Sequence, residues 1–115
     1  MSCRKIGVTM DKTEVIKIVA RYKNALDRQG IKSAKIILFG SFANGNYTES
    51  SDIDLVVISE KFAGKDFWQR IDILTEAIFE VMEPIEAIAM TPEEWQSGES
   101  FICDFAKDGE VLYAA

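Results

Sequence analysis

Two short apolar runs, at residues 35–39 and 53–59, set the first limit on what this chain can fold into. Each is β-branched, too short for a buried helix and bounded by turn-forming residues, Gly40 after the first and Ser51-Asp52 before the second. Both are therefore expected to be buried strands. Helical periodicity surrounds them. Asp11 and Glu14 read as a capping box ahead of Val15, Ile18, Val19, Tyr22 and Leu26, with a stop at Gly30. Asp66 with Gln69 opens a second helix whose Ile71, Leu74, Ile78 and Val81 mark one face as far as Met82, and Pro84 ends it. Residues 85–90 form a third apolar run, and Thr91-Pro92-Glu93-Glu94 is the start of a short helix. A weakly helical stretch at 101–107 follows, and Gly109 separates it from a last apolar piece at 111–113. This order predicts the α+β class, a small mixed sheet with helices packed on one side, and leaves the strand order open.

The 115 residues, 48% of them hydrophobic, suffice for one core, so a single domain spanning 1–115 is expected. A net charge of −6 repels phosphate backbones, and extensive nucleic-acid binding is not expected. Cys3 and Cys103 lie far apart without a CxxC pair, and no leader or long apolar segment is evident. That pattern fits a soluble, cytoplasmic protein away from membranes, with both cysteines as plain thiols. The chain has no histidine. Ser-His-Asp triads, Cys-His dyads and imidazole zinc sites are thereby excluded, leaving carboxylates as the reactive polar groups.

The stretch at 40–55, GSFANGNYTESSDIDL, lies between the two strands. Gly40 permits a sharp turn over which backbone amides and the Ser41 hydroxyl can approach a polyphosphate, although a Gly-Ser pair alone is usually only a turn. Asp52 and Asp54 alternate with Ile53 and Leu55 at a strand mouth, so both carboxylates project from one face with α-carbons roughly 6.5 Å apart. A divalent cation would neutralise their repulsion, and oxygen-only donors select Mg²⁺ or Mn²⁺. Asp52 reads equally well as a turn cap, and Asp54 as a solvent-facing strand residue. Glu86 opens the third strand in an apolar setting, either as a further ligand or as an exposed edge residue. Trp68 and Trp95 can each pack on the core or face a partner protein.

Gly40 and Ser41, ten intervening residues, then Asp52-Ile53-Asp54 resemble the signature of the DNA polymerase beta-like nucleotidyltransferase superfamily, and most of all its minimal nucleotidyltransferase (MNT) branch. The resemblance is strong over about half the chain, through Ile58, and looser around Glu86 and the tail from Gly109. It implies the nucleotidyltransferase fold, with Gly40 and Ser41 holding the triphosphate of ATP. It further implies Asp52, Asp54 and Glu86 as catalytic residues and metal ligands for two Mg²⁺ ions, with one ion activating the acceptor hydroxyl and the other bridging the triphosphate. Glu86 departs from the family, where Asp is commoner, and Asn44 stands where many relatives carry Arg. Phe42 is expected to pack beneath the turn.

The same branch implies three functions. The chain is expected to transfer AMP to a partner protein, a small helical HEPN-type toxin that it restrains as an antitoxin. The alternatives are a nucleotide-binding antitoxin that acts by contact alone, and a small-molecule nucleotidyltransferase whose acceptor pocket comes from a homodimer.

Overall fold

The computed structural model describes residues 11–32, 34–45, 47, 51–98 and 100–114. Helix α1 (Lys12–Arg28) starts where the Asp11 carboxylate accepts from the Glu14 amide at 2.9 Å. Only this half of the expected capping box is formed among the described residues; the exposed Glu14 side chain stays in water. The helix buries Val15, Ile18, Val19, Tyr22, Ala25 and Leu26 on one stripe. Such burial contributes about 1.5–3 kcal/mol for each large aliphatic side chain. It ends at Arg28, one turn closing as the Ile31 amide donates to the Leu26 carbonyl.

Strand β1 (Lys35–Phe39) leads through Gly40 into α2 (Ser41–Asn44), then β2 (Ile53–Ile58) and a 3-10 turn (Glu60–Phe62). Helix α3 (Phe67–Val81) has a complete capping box between Asp66 and Gln69. It stops at Met82, a non-glycine residue in the left-handed conformation with φ 63°. Strand β3 (Ile85–Met90), α4 (Pro92–Ser97), α5 (Phe101–Ala106) and β4 (Glu110–Tyr113) complete the order. Thr91 and Glu94 also form a full capping box, with Pro92 in the first turn as expected.

The sheet runs β3-β2-β1-β4. β1 pairs antiparallel with both β2 and β4, whereas β2 and β3 are parallel, as the intervening α3 requires. Alternation along each strand divides the core. Ile36, Leu38, Ile53, Leu55 and Val57 face α1 and α3, while Ile37, Val56, Ile58 and Met90 form a second cluster with Cys103 and Ala106 of α5. The two long helices thus occupy one face, as expected, and the short α4 and α5 are added on the other.

The β1–β4 register shifts between Ile36, opposite Tyr113, and Ile37, opposite Val111. Leu112 is therefore an extra residue, a bulge that turns both Leu112 and Tyr113 onto the main core. The last apolar piece is thus an edge strand, and the bulge removes the alternation that would have marked it. Cys103 is a free buried thiol, as read from the sequence, and Cys3 lies outside the described residues. Among the described residues no helix is long and apolar enough to cross a membrane.

Arg70 of α3 ties down α4: its guanidinium donates to Glu94 at 2.7 Å, and the same carboxylate accepts from the Thr91 amide at 2.8 Å. These bonds, the Arg70 contact foremost, hold the Glu94 carboxyl below the usual glutamate range. Its stabilising contribution is present above the ordinary glutamate pKa and is lost as pH falls through the lowered value. Glu94→Gln is expected to cost on the order of 0.5 kcal/mol at neutral pH, because the pair is partly exposed. In urea titrations this difference should vanish in strong acid; a difference independent of pH would rule out the ion pair as its source.

Candidate active site

The family-type residues meet at one end of the sheet. Asp54 is the second residue of β2, where register places it opposite Phe39 of β1 on one side and Glu86 of β3 on the other. Its parity is opposite to that of Ile53 and Leu55, so it points to the face that carries α5 rather than the long helices. Asp52 precedes the strand and is exposed, as is Glu86. Asp54 is half-buried, and its carboxyl is held above the usual aspartate range, first by loss of water and then by the charges of Glu86 and Asp52.

Gly40 closes the site from β1. It adopts φ 78° and ψ −154°, a region open essentially to glycine alone, and this reversal starts α2. The stretch expected to be a loop thus begins with one helical turn, in which the Ala43 amide donates to the Gly40 carbonyl at 3.1 Å. A Cβ on Gly40 would overlap the Asp54 carboxylate and lie 3.1 Å from its Cγ. The missing side chain therefore leaves room for a carboxylate as well as for a turn. Ser41 is half-buried at the start of α2. Phe42 is buried and stacks on Tyr47 with ring centroids 4.7 Å apart, so it underpins the turn as expected. The side chain of Asn44 lies outside the described residues.

A cleft of about 430 Å³ adjoins these groups, lined by Asp54 and Glu86 together with Phe39, Ile88 and Ile102, and it reaches around the β3 edge to Ile78 of α3. The apolar walls were not marked as functional by the sequence. The only signal is parity: Phe39 and Ile88 share the sheet face of Asp54. A larger cavity of about 570 Å³ opens at the opposite end of the sheet, where Lys32, Lys35, Lys61 and Trp95 gather with Glu60. It lies away from the aspartates, so cavity size does not mark the chemistry here. Trp95 contacts the second core cluster, whereas Trp68 is 71% exposed.

The donor set suits a hard divalent cation in kind: three carboxylates, no nitrogen or sulfur, with the charges of Glu86 and Asp52 adding to the effect of burial in raising the Asp54 pKa. Their side chains share a face without being drawn together. Among the described residues no group of three or more Asp, Glu or Cys side chains is gathered closely enough to hold an ion.

Comparison with known proteins identifies the family. Residues 19–108 match the model of the nucleotidyltransferase domain family. A "putative protein adenylyltransferase" of Methanocaldococcus jannaschii is 37% identical over 102 residues, covering 84% of this chain and 96% of that protein. A "putative nucleotidyltransferase" from Sulfolobus solfataricus shares the fold with a TM-score of 0.62 at 16% identity, over 96% of this chain and 93% of that one. The fold recurs in a chain from the Shewanella oneidensis complex of a tri-AMPylated HEPN toxin with an MNT antitoxin. There the TM-score is 0.54 at 18% identity, over 90% of this chain and 73% of that one. From the matched span and the 37% identity, this chain belongs to the nucleotidyltransferase domain family.

Proposed function

We propose that the chain is a cytoplasmic Mg²⁺-dependent adenylyltransferase that moves AMP from ATP to a hydroxyl of a protein acceptor, a small helical HEPN-type toxin that it restrains as an antitoxin. The observation that carries this reading is the pairing of Asp54 with Glu86 across the parallel β2–β3 ladder, with the Gly40 turn directly against Asp54. The relative from Methanocaldococcus jannaschii and the fold shared with the toxin–antitoxin complex support a protein acceptor.

Gly40 and Ser41 supply the turn against which the triphosphate lies, and Phe42 stacked on Tyr47 keeps that turn rigid. Asp52, Asp54 and Glu86 would hold Mg²⁺, which supplies charge neutralisation for the triphosphate and acidifies the acceptor hydroxyl. Gathering the ion requires the exposed Asp52 and Glu86 to turn inward toward Asp54. The acceptor oxygen forms a bond to the α-phosphorus as the α–β phosphoanhydride bond breaks, and pyrophosphate departs. Glu86 takes the hydroxyl proton. Phe39, Ile88 and Ile102 exclude water from that face of the cleft.

Incubation with labelled ATP, Mg²⁺ and the product of the adjacent gene tests the reading. Label should pass to the partner and be lost on adding EDTA. Glu86→Gln should bind ATP like wild type while transfer falls by about 10²–10⁴-fold, the usual span for a proton acceptor. Glu86→Asp should keep or raise the rate. The alternative reading is restraint by contact alone, in which the partner is bound and never modified. A partner bound equally by wild type and Glu86→Gln, and modified by neither, would decide for that reading.

A further inference from the structure

Helix α3 wears its apolar residues on two sides. Leu74, Ala77 and Val81 enter the core, yet Phe67, Trp68, Phe79 and Met82 stand 64–77% exposed. At 3.6 residues per turn, Trp68, Ile71, Thr75, Phe79 and Met82 fall in one outward sector, a stripe about 21 Å long. Three large apolar side chains at this exposure, Trp68, Phe79 and Met82, with the half-buried Ile71 and Thr75 between them, form one stripe rather than scattered residues, and Phe67 lies beside its start, edge-on to Trp68. Large side chains on an otherwise acidic surface of a small chain call for a cover.

The two borders of the stripe differ. Toward β3, the edge strand, Ile78 lines the cleft that holds Asp54 and Glu86, so the stripe continues into the active-site mouth. Toward α1 the border is acidic, with Asp72, Glu76 and Glu80 following one another around the helix and Glu83 just past its end. Arg28 pairs with Glu80 and Arg21 with Glu83. Among the described residues Asp72 and Glu76, both exposed, have no ion-pair partner. A second copy of this chain laid on the stripe would bring its own Asp72 and Glu76 and its net charge of −6. The fitting cover is of opposite sign.

We propose that the α3 stripe is the docking surface for the protein acceptor, and that it takes an apolar helical ridge edged on one flank by lysine or arginine. The ridge supplies anchors at helical spacing to Trp68, Phe79 and Met82. Its basic flank pairs with Asp72 and Glu76, fixing the direction in which the acceptor lies. Because the stripe ends at Ile78, an acceptor seated there has its neighbouring surface at the cleft. The assignment rests on the protein-acceptor reading above but depends on none of its chemistry.

Two synthetic peptides of about 20 residues test it, each with leucines at i, i+3, i+4 and i+7, one with lysines along a flank and the other with glutamates. Binding is read by anisotropy of a dye on the peptide, without nucleotide or metal. The lysine peptide should bind wild type at least about tenfold more tightly than the glutamate peptide. Phe79→Asp and Trp68→Asp, at exposed positions, should each weaken it by about tenfold or more. Asp72→Lys with Glu76→Lys should reverse the order of the two peptides. Equal binding of both peptides, no binding of either, or indifference to these substitutions overturns the proposal. So does sedimentation of the chain alone as a dimer that Phe79→Asp dissociates, since the cover is then a second copy. Asp52→Asn with Asp54→Asn should bind the lysine peptide like wild type, so loss of transfer and loss of docking are read separately.

Discussion

Asparagine at both positions 52 and 54 is expected to abolish nucleotidyl transfer while the protein remains folded. Asp54 stands opposite Glu86 as the second residue of β2 and Asp52 lies just before that strand, and removing their charge removes what would balance a divalent cation against a triphosphate. Transfer of label from ATP should fall below detection, and calorimetry should show ATP binding that no longer responds to EDTA. Stability should move the other way. In the folded protein the Asp54 carboxyl titrates above its ordinary value, because burial and then Glu86 and Asp52 oppose its charge. For an acid raised in this way, the favourable contribution is complete below the unfolded pKa and is lost as pH rises through the folded one. Wild type therefore carries a penalty at neutral pH that Asp54→Asn lacks, and the two should converge in acid below the ordinary aspartate range. Thermal unfolding of the metal-free proteins between acid and neutral pH checks this. A double variant that transfers at the normal rate would remove the aspartates from the chemistry.

Alanine at position 40 should damage both fold and site. Its φ of 78° with ψ −154° costs a residue with a Cβ about 1–3 kcal/mol, and that Cβ would also displace the Asp54 carboxylate. Denaturant unfolding should report the strain, and metal-dependent ATP binding should fall at least about tenfold with the displaced ligand. Gly64→Ala is the matched control. Gly64 has φ 79° yet nothing within 4 Å of an added Cβ, so it should lose stability and keep nucleotide binding. Equal losses of binding in both variants would mean that backbone strain, rather than collision with Asp54, controls the site.

The parts legible in the sequence are those whose signal is local. β1 and β3 follow from apolar runs closed by Gly40 and begun after Pro84, and the three caps read from the sequence, of α1, α3 and α4, fall on the residues expected, although the Asp11 box is only half made. β4 escaped because Leu112 is inserted against β1 and breaks the alternation. The helical turn after Gly40 escaped because glycine, serine and asparagine carry loop signals, and only the reversal at Gly40 closes them into a turn. The spacing of Asp52 and Asp54 indicated a shared face. That Glu86 stands in register with Asp54 depends on α3 returning the chain parallel to β2, which no window of sequence contains. Phe39, Ile88 and Ile102 were invisible as cleft walls for the same reason: each is an ordinary apolar residue until the strands are laid side by side. Trp68 stayed ambiguous until its exposure was known, since helical spacing alone fits either side of α3.

The two margins of the sheet formed by the described residues are unlike, and this bears on how copies could accumulate. β3 keeps an unbroken six-residue register with β2, whereas β4 carries the Leu112 bulge. Head-to-tail growth would need the straight margin of one molecule to meet the kinked margin of the next, and then to repeat. The bulge twists that second margin away from a flat partner. Open-ended filaments of this sheet are thereby disfavoured, and a contact through β3 would pair two copies rather than start a growing chain.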